Sequence, residues 1–201
     1  MVWSPQVRRV AREGEGERLV VGHRLVDEFL EFAASRARPN TVLAYARDLK
    51  AFFSVVDKEP VEVRPSDVMA FVTAQRQPRQ GAKKVVRISD RESGLSSSTI
   101  RRRLAAVSAF YGYLITRGDV GVEKNPVPRG LPTRKTRREL RGQPLIRAVR
   151  RLPRILDPEE LAALMGALRT DRDRAMVQAM ALGGLRRAEV IQGDVRFGPT
   201  M

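Results

Sequence analysis

The stretch SSSTIRRRLAAVSAFYGYLITRG, at positions 96–118, constrains the fold more than any other part of the chain. Its apolar residues recur at spacings of four, three, four and three, which is the period of a helix with one buried side. Serines precede this run and Gly118 follows it, as expected at the two ends of a helix. The predicted buried stripe consists of Ile100, Leu104, Val107, Tyr111 and Leu114.

Three more helices are predicted upstream, in VGHRLVDEFLEFAASR, RPNTVLAYARDLKAFFSVVD and RPSDVMAFVTAQR. Asn40 and Ser66 are the predicted N-caps of the second and third of these helices. Because the connections are short, the four helices predict a small bundle that ends near KNPVPRGLP and a mainly α chain. Residues 1–20 are polar and predict a poorly ordered arm.

A large positive charge indicates the class of partner. The chain has 38 Lys and Arg against 23 Asp and Glu, a net charge of +15. Such an excess favours a nucleic acid, whose phosphates it neutralises, although an arginine-rich solvated surface is the alternative. The basic loop at 79–91 adds to it, and residues 129–154 hold ten Lys and Arg against one Glu. We interpret 129–154 as a basic linker that follows phosphates, or as a plain solvated linker.

Three consecutive arginines begin the strongest helix, and we expect all three to point away from its buried stripe and towards phosphate. Threonines at two helix starts could donate to phosphate or could simply cap the helix. The candidate DNA contacts are Thr41, Arg47, Lys50, Lys83, Lys84, Arg87, Thr99, Arg101, Arg102, Arg103, Arg134, Lys135, Arg137 and Arg138.

A second unit begins at LDPEELAALMGALR, where Asp157, Pro158 and Glu160 predict a capped helix start. The next segment is apolar from Ala175 to Leu182 except for Gln178, which predicts a helix buried on all sides. It leads into GGLRRAEV, which places an arginine beyond two glycines.

Several functional classes are excluded by composition. The chain has no cysteine, so it forms no disulfide, zinc finger or thiol nucleophile. Its one histidine, His23, is expected at a solvated position of a helix. We therefore expect no metal centre and no cofactor. All three tyrosines fall in the predicted bundle, where Tyr45 and Tyr111 lie on buried stripes and Tyr113 is predicted at the surface. No apolar run resembles a signal peptide or a membrane span, so we expect a cytoplasmic protein with no membrane contact.

NTVLAYARDLKAFF and LSSSTIRRRLAAVSAFYGYLITRGDVGVEKNP, with the closing Asn125-Pro126, resemble the core-binding domain of tyrosine recombinases, the phage integrase and Xer-like enzymes. The resemblance implies a four-helix SAM-like, DNA-binding bundle over residues 21–128. It also implies that residues 155–201 are the truncated N-terminal part of a catalytic domain. There GLRRAEV resembles the family's G-L-R-x-x-E motif, so Arg186 would be the first catalytic arginine, which binds the scissile phosphate, and Glu189 would support it.

The family also uses a lysine, a His-x-x-Arg pair, a further His or Trp and a nucleophilic tyrosine beyond this motif, and IQGDVRFGPTM contains no Lys, His, Trp or Tyr. We therefore expect a fragment that acts in, or derives from, DNA integration and recombination. Its Arg186 would be vestigial, and it would bind double-stranded DNA without cleaving it alone. A full-length recombinase is the further partner expected. The alternatives are a stand-alone helical DNA-binding regulator or interaction module, and a non-functional relic.

Overall fold

The computed structural model describes residues 3–12, 16–77, 94–128, 145–146 and 155–192, and of residue 192 it describes the backbone only. The chain divides into two compact units, Met1–Val149 and Arg150–Met201. Within the described residues, the first unit holds a two-stranded hairpin and four α-helices, and the second holds three short helices. The prediction of a mainly α chain with a four-helix bundle is confirmed.

The bundle helices are α1 (Arg24–Ala34), α2 (Pro39–Val56), α3 (Pro65–Arg76) and α4 (Ser97–Arg117), with one 3-10 turn at Pro60–Glu62. All five residues of the predicted α4 stripe are buried. Both predicted caps at the starts of α2 and α3 are wrong by two positions, because Arg38 and Arg64 are the N-caps. Proline has no N–H to leave unpaired and its φ already suits the first turn, so each helix begins at its proline.

Aromatic side chains hold the four helices together. Phe110 of α4 makes edge contacts with Phe29 of α1 at 5.6 Å and with Phe53 of α2 at 6.0 Å between ring centroids. Phe52 of α2 meets Phe71 of α3 in the same way at 5.0 Å. Each of these rings is almost fully buried, and burying one contributes about 1.5–3 kcal/mol to folding. This shared core fixes the positions of α2 and α4, which carry the candidate DNA contacts that lie within the described residues.

Where the sequence predicts a poorly ordered arm over residues 1–20, the described residues 8–12 and 16–20 form two paired strands. Strands β1 (Arg8–Arg12) and β2 (Gly16–Val20) pair antiparallel. Trp3 anchors the hairpin, since its ring lies 5.0 Å from that of His23 and 5.5 Å from that of Phe53. His23 is not solvated either: its side chain is 16% exposed and caps α1 by accepting from a backbone N–H. Val7 and Leu19 pack against the core as well, so apolar side chains spread along a polar segment hold it to the bundle.

The end of α3 lies in contact with the residues that immediately precede α4. The N–H of Leu95 donates to the carbonyl oxygen of Gln75 at 2.9 Å. A Cβ on Gly94 would overlap the backbone of Arg76, so only glycine fits this approach. Farther along the chain, Ile146 is 4% exposed and belongs to the bundle core, although it lies inside the predicted linker.

The second unit contains α5 (Pro158–Ala167), α6 (Asp171–Gly183) and α7 (Arg187–Gln192). The predicted capping box of α5 is confirmed, because the N–H of Glu160 donates to Asp157 Oδ1 at 2.7 Å and the Glu160 carboxylate accepts in return. The prediction that α6 is buried on all sides is wrong: none of its residues is buried. Three short helices enclose too little volume to cover it.

Candidate nucleic-acid interface

The start of α4 is fixed by a cluster of hydroxyl groups. Ser96 Oγ accepts from the N–H of Thr99 at 3.2 Å and lies 2.8 Å from Thr99 Oγ1 and 3.0 Å from Ser98 Oγ. The serine cap predicted here is therefore confirmed. Thr99 itself is not the cap: it stands in the first turn, where its hydroxyl contacts the capping Ser96. A contact of Thr99 with phosphate stays a prediction.

The three arginines that follow do not share one environment. Arg101 is exposed and Arg102 has a side chain 53% exposed, whereas the side chain of Arg103 is only 16% exposed. The expectation that all three point away from the core is therefore wrong for Arg103. Successive helical residues are about 100° apart, and Arg103 stands two turns before the fully buried Phe110, on the same side of α4.

Two of these arginines form ion pairs with a buried carboxylate on α2. Asp48 is 2% exposed and is the one buried charged residue among those described. Arg102 Nη1 donates to Asp48 Oδ2 at 2.5 Å, and Arg103 Nε lies 3.9 Å from Asp48 Oδ1. Arg103 Nη1 also donates to Gln75 Oε1 of α3. The cluster therefore joins α2, α3 and α4 beneath the exposed arginines.

Burial raises the pKa of Asp48 above its ordinary value of 3.8, while the charges of Arg102 and Arg103 act in the opposite direction. The larger effect is the loss of water around the carboxylate. Sequence reasoning missed Asp48, although a signal was present. Asp48 lies three residues after Tyr45 and four before Phe52, which places a carboxylate on the edge of a buried stripe.

The candidate contacts on α2, unlike Arg103 on α4, all lie at the surface. Thr41, Arg47 and Lys50 are all exposed. Thr41 stands in the first turn, where its N–H donates to the carbonyl oxygen of Arg38 at 2.8 Å. The remaining candidates lie outside the described residues, namely Lys83, Lys84, Arg87, Arg134, Lys135, Arg137 and Arg138. The candidate contacts among the described residues therefore lie on α2 and at the start of α4.

The second candidate site is the turn between α6 and α7. Gly184 ends α6 in the left-handed conformation, with φ of 65°. Glu189 folds back to accept from the N–H of Arg186 at 2.7 Å and from its Nη1 at 3.2 Å. These bonds, the backbone one first, lower the pKa of Glu189. The Arg186 side chain is 85% exposed, so its guanidinium can bind an anion.

The three tyrosines of the chain belong to α2 and α4. The hydroxyl of Tyr111 donates to the carbonyl oxygen of Pro60 at 2.8 Å, and its side chain is almost fully buried. Burial raises the pKa of Tyr111 far above its ordinary value of 10.0. Tyr45 packs on Phe29, and Tyr113 is partly buried beside Phe32 and not free at the surface. All three rings therefore have structural contacts.

The described part of the chain offers neither a metal site nor a membrane span. No group of three His, Cys, Asp or Glu side chains there is placed to hold a metal ion. None of the helices described has both the length and the apolar character needed to cross a membrane.

Comparison with known proteins gives concordant matches. Residues 26–118 match the family of the phage integrase N-terminal SAM-like domain. A tyrosine recombinase XerC of Xylella fastidiosa strain 9a5c is 32% identical over 174 residues, which cover 83% of this chain and 50% of the relative. That of Chromohalobacter salexigens is 31% identical over 178 residues, covering 86% and 51%.

The chain thus spans about half the length of these curated relatives. Among solved structures, an integrase from mycobacterium phage Brujita aligns with a TM-score of 0.42 and 17% identity, over 82% of this chain and 47% of that one. The family model and the recombinase relatives agree with the bundle described above. The chain belongs to the tyrosine recombinase family, through a phage integrase N-terminal SAM-like domain at residues 26–118.

Proposed function

We propose that this chain binds double-stranded DNA through the outer surface of α2 and the start of α4, and that it does not cleave DNA by itself. It would act as a DNA-binding fragment of a tyrosine recombinase or integrase, in the cytoplasm, with a full-length recombinase as its partner. The observation that carries the proposal is the exposure of four cations on two helices that pack together: Arg101 and Arg102 on α4, and Arg47 and Lys50 on α2.

Electrostatics supports phosphate as the ligand of this surface. The net charge of +15 attracts a polyanion, and arginine matches the paired oxygens of a phosphate with two parallel donors. The first turn of α4 adds backbone N–H groups and the positive end of the helix dipole. Backbone contacts of this kind position a protein on DNA without reading its sequence.

The contacts of the tyrosines support the second half of the proposal. Cleavage by nucleophilic catalysis needs a hydroxyl that can reach the phosphorus atom and be activated beside it. The hydroxyl of Tyr111 is buried and bonded to Pro60, while Tyr45 and Tyr113 are packed against Phe29 and Phe32. Arg186 could hold a phosphate, but a lone arginine supplies no nucleophile.

The affinity of the purified chain for a random-sequence duplex, measured across a salt series, tests DNA binding. If about six phosphates are neutralised, log K should fall with log salt at a slope of roughly −5. An affinity that does not change with salt, or no binding at low salt, would refute the proposal.

A further inference from the structure

We infer that Asp48 is a positioning residue for DNA binding, which holds the guanidinium of Arg102 so that its free edge faces a phosphate. The inference rests on the proposed function, because the phosphate is the ligand of Arg102. A buried side chain of α2 would thus affect DNA binding by α4. The three consecutive arginines would also differ in role, because only Arg102 would be both held by Asp48 and exposed to DNA.

The position of Asp48 argues against a role in stability alone. Its side chain is 3% exposed, and removing a carboxylate from water is unfavourable unless partners compensate for the lost hydration. Buried ion pairs are often no more stable than apolar residues of similar volume. The raised pKa of Asp48 agrees, since it shows that burial outweighs the attraction of Arg102 and Arg103.

The geometry of Arg102 shows what the carboxylate provides. Nη1 of Arg102 is bonded to Asp48 Oδ2 at 2.5 Å, yet 53% of the side chain remains exposed. A guanidinium has five N–H donors in one plane, so a bond on one side leaves other donors directed outward. Fixing a long side chain before the ligand arrives removes part of the ordering cost of binding.

Neighbouring residues supply matched controls. Among the described residues no ion pair reaches Arg101, so it is an exposed arginine of the same turn without such support. Glu28 pairs with Arg24 and Arg117, away from the triplet. Asp48→Asn and Glu28→Gln each remove one negative charge and raise the net charge from +15 to +16. Net electrostatics alone therefore predicts tighter DNA binding for both variants.

The test compares duplex affinity at low salt for the parent, Asp48→Asn, Glu28→Gln, Arg102→Ala and the double variant Asp48→Asn with Arg102→Ala. We expect Asp48→Asn to bind roughly tenfold more weakly, which is the worth of about one charged hydrogen bond, and Glu28→Gln to bind as well as the parent or better. The double variant should bind like Arg102→Ala, because Asp48 acts through that arginine. Circular dichroism of each variant reports whether the helices persist.

Equal or tighter binding by a folded Asp48→Asn variant would overturn the inference while leaving the proposed function intact. If Asp48→Asn does not fold, Arg102→Lys decides, since it keeps the charge and loses the planar fork: unchanged affinity overturns the inference. A readout without DNA is the nitrogen NMR signal of the Arg102 guanidinium. Hindered rotation is expected in the parent, and free rotation there would overturn the inference even if the parent failed to bind DNA.

Discussion

Asn125 fastens the chain beyond α4 to that helix, because its Nδ2 donates to the carbonyl oxygen of Ser108 at 2.9 Å and lies 3.1 Å from Ser108 Oγ. Its Oδ1 accepts from the N–H of Val127 at 3.0 Å. Both ends of one amide are thus used to brace residues 125–128. This gives a physical reason for the Asn125-Pro126 pair that closes the resemblance to the recombinase core-binding domain.

Replacing Asn125 with Ala should lower the free energy of unfolding by about 1–3 kcal/mol, because it leaves partly buried backbone groups without their partners. Urea denaturation of the parent and the variant measures the difference. Asn40→Ala, at an exposed position of α2, is the control and should change stability by less than about 0.5 kcal/mol. Equal losses for the two variants would contradict the bracing role.

Arg103 should behave as a structural residue and Arg101 as a surface residue. Arg103→Ala removes one partner of the buried Asp48 and the bond to Gln75, so we expect a loss of about 1–3 kcal/mol in the free energy of unfolding. Arg101→Ala should cost less than about 0.5 kcal/mol. The same urea experiment decides, and an Arg103→Ala variant as stable as Arg101→Ala would show that the cluster does not stabilise the bundle.

In DNA binding, we expect Arg101 and Arg102 to behave alike and Arg103 to differ from both. Arg101→Ala and Arg102→Ala should each reduce the magnitude of the salt slope by about 1, since each loses one phosphate contact. Arg103→Ala should leave the slope unchanged, provided that the measurement is made on folded protein. A slope that falls equally for all three variants would mean that Arg103 turns outward to reach DNA.

The stability of the parent and of Asp48→Asn should depend differently on pH. The pKa of Asp48 is higher in the folded than in the unfolded chain, so its contribution is fully present below the ordinary value of 3.8 and is lost as the pH rises through the raised value. Asp48→Asn lacks this loss, so its stability relative to the parent should increase with pH above 3.8.

Urea denaturation of both chains from about pH 3 to about pH 7 measures this relation. Carboxylates with lowered pKa values, such as Glu28 and Asp119, stabilise the fold less as the pH falls. Because both chains contain them, their effect cancels in the difference between the two stabilities. Parallel pH profiles would show that Asp48 ionises in the folded chain as it does in the unfolded one.

No covalent protein–DNA adduct should form when the chain is incubated with suicide DNA substrates and separated on a denaturing gel. The physical reason is the lack of an accessible, activated hydroxyl among Tyr45, Tyr111 and Tyr113. A full-length tyrosine recombinase is the positive control. An adduct mapped to one of these tyrosines would refute the prediction, and one formed only with added recombinase would indicate a helper role.

The helices were predictable because their signals are local. The four-and-three spacing of α4, its serine cap and Gly118 follow from one stretch of chain, and all of them agree with the structure. Helix starts were less predictable at Pro39 and Pro65, because a proline and the polar residue after it compete for the boundary.

Contacts between distant segments were not predictable in the same way. Asp48 and Arg102 are 54 residues apart, so no local pattern of residues could show that they meet. The contact of Trp3 with Phe53, beside the N-terminal hairpin, likewise joins segments that are distant in the sequence. The candidate site in the second unit was found from its motif, and its role in phosphate binding stays a prediction.

The junction of α3 with α4 has a consequence for how the length of this chain can change. Because Leu95 is bonded to Gln75 and Gly94 lies against Arg76, the end of α3 is held directly against the residues that precede α4. The entropy of closing a loop grows only slowly with its length, by about 0.6 kcal/mol for each doubling. Insertions or deletions between 78 and 93 would therefore leave the register of the four helices intact, which makes this junction the natural place to splice in a tag or a foreign peptide.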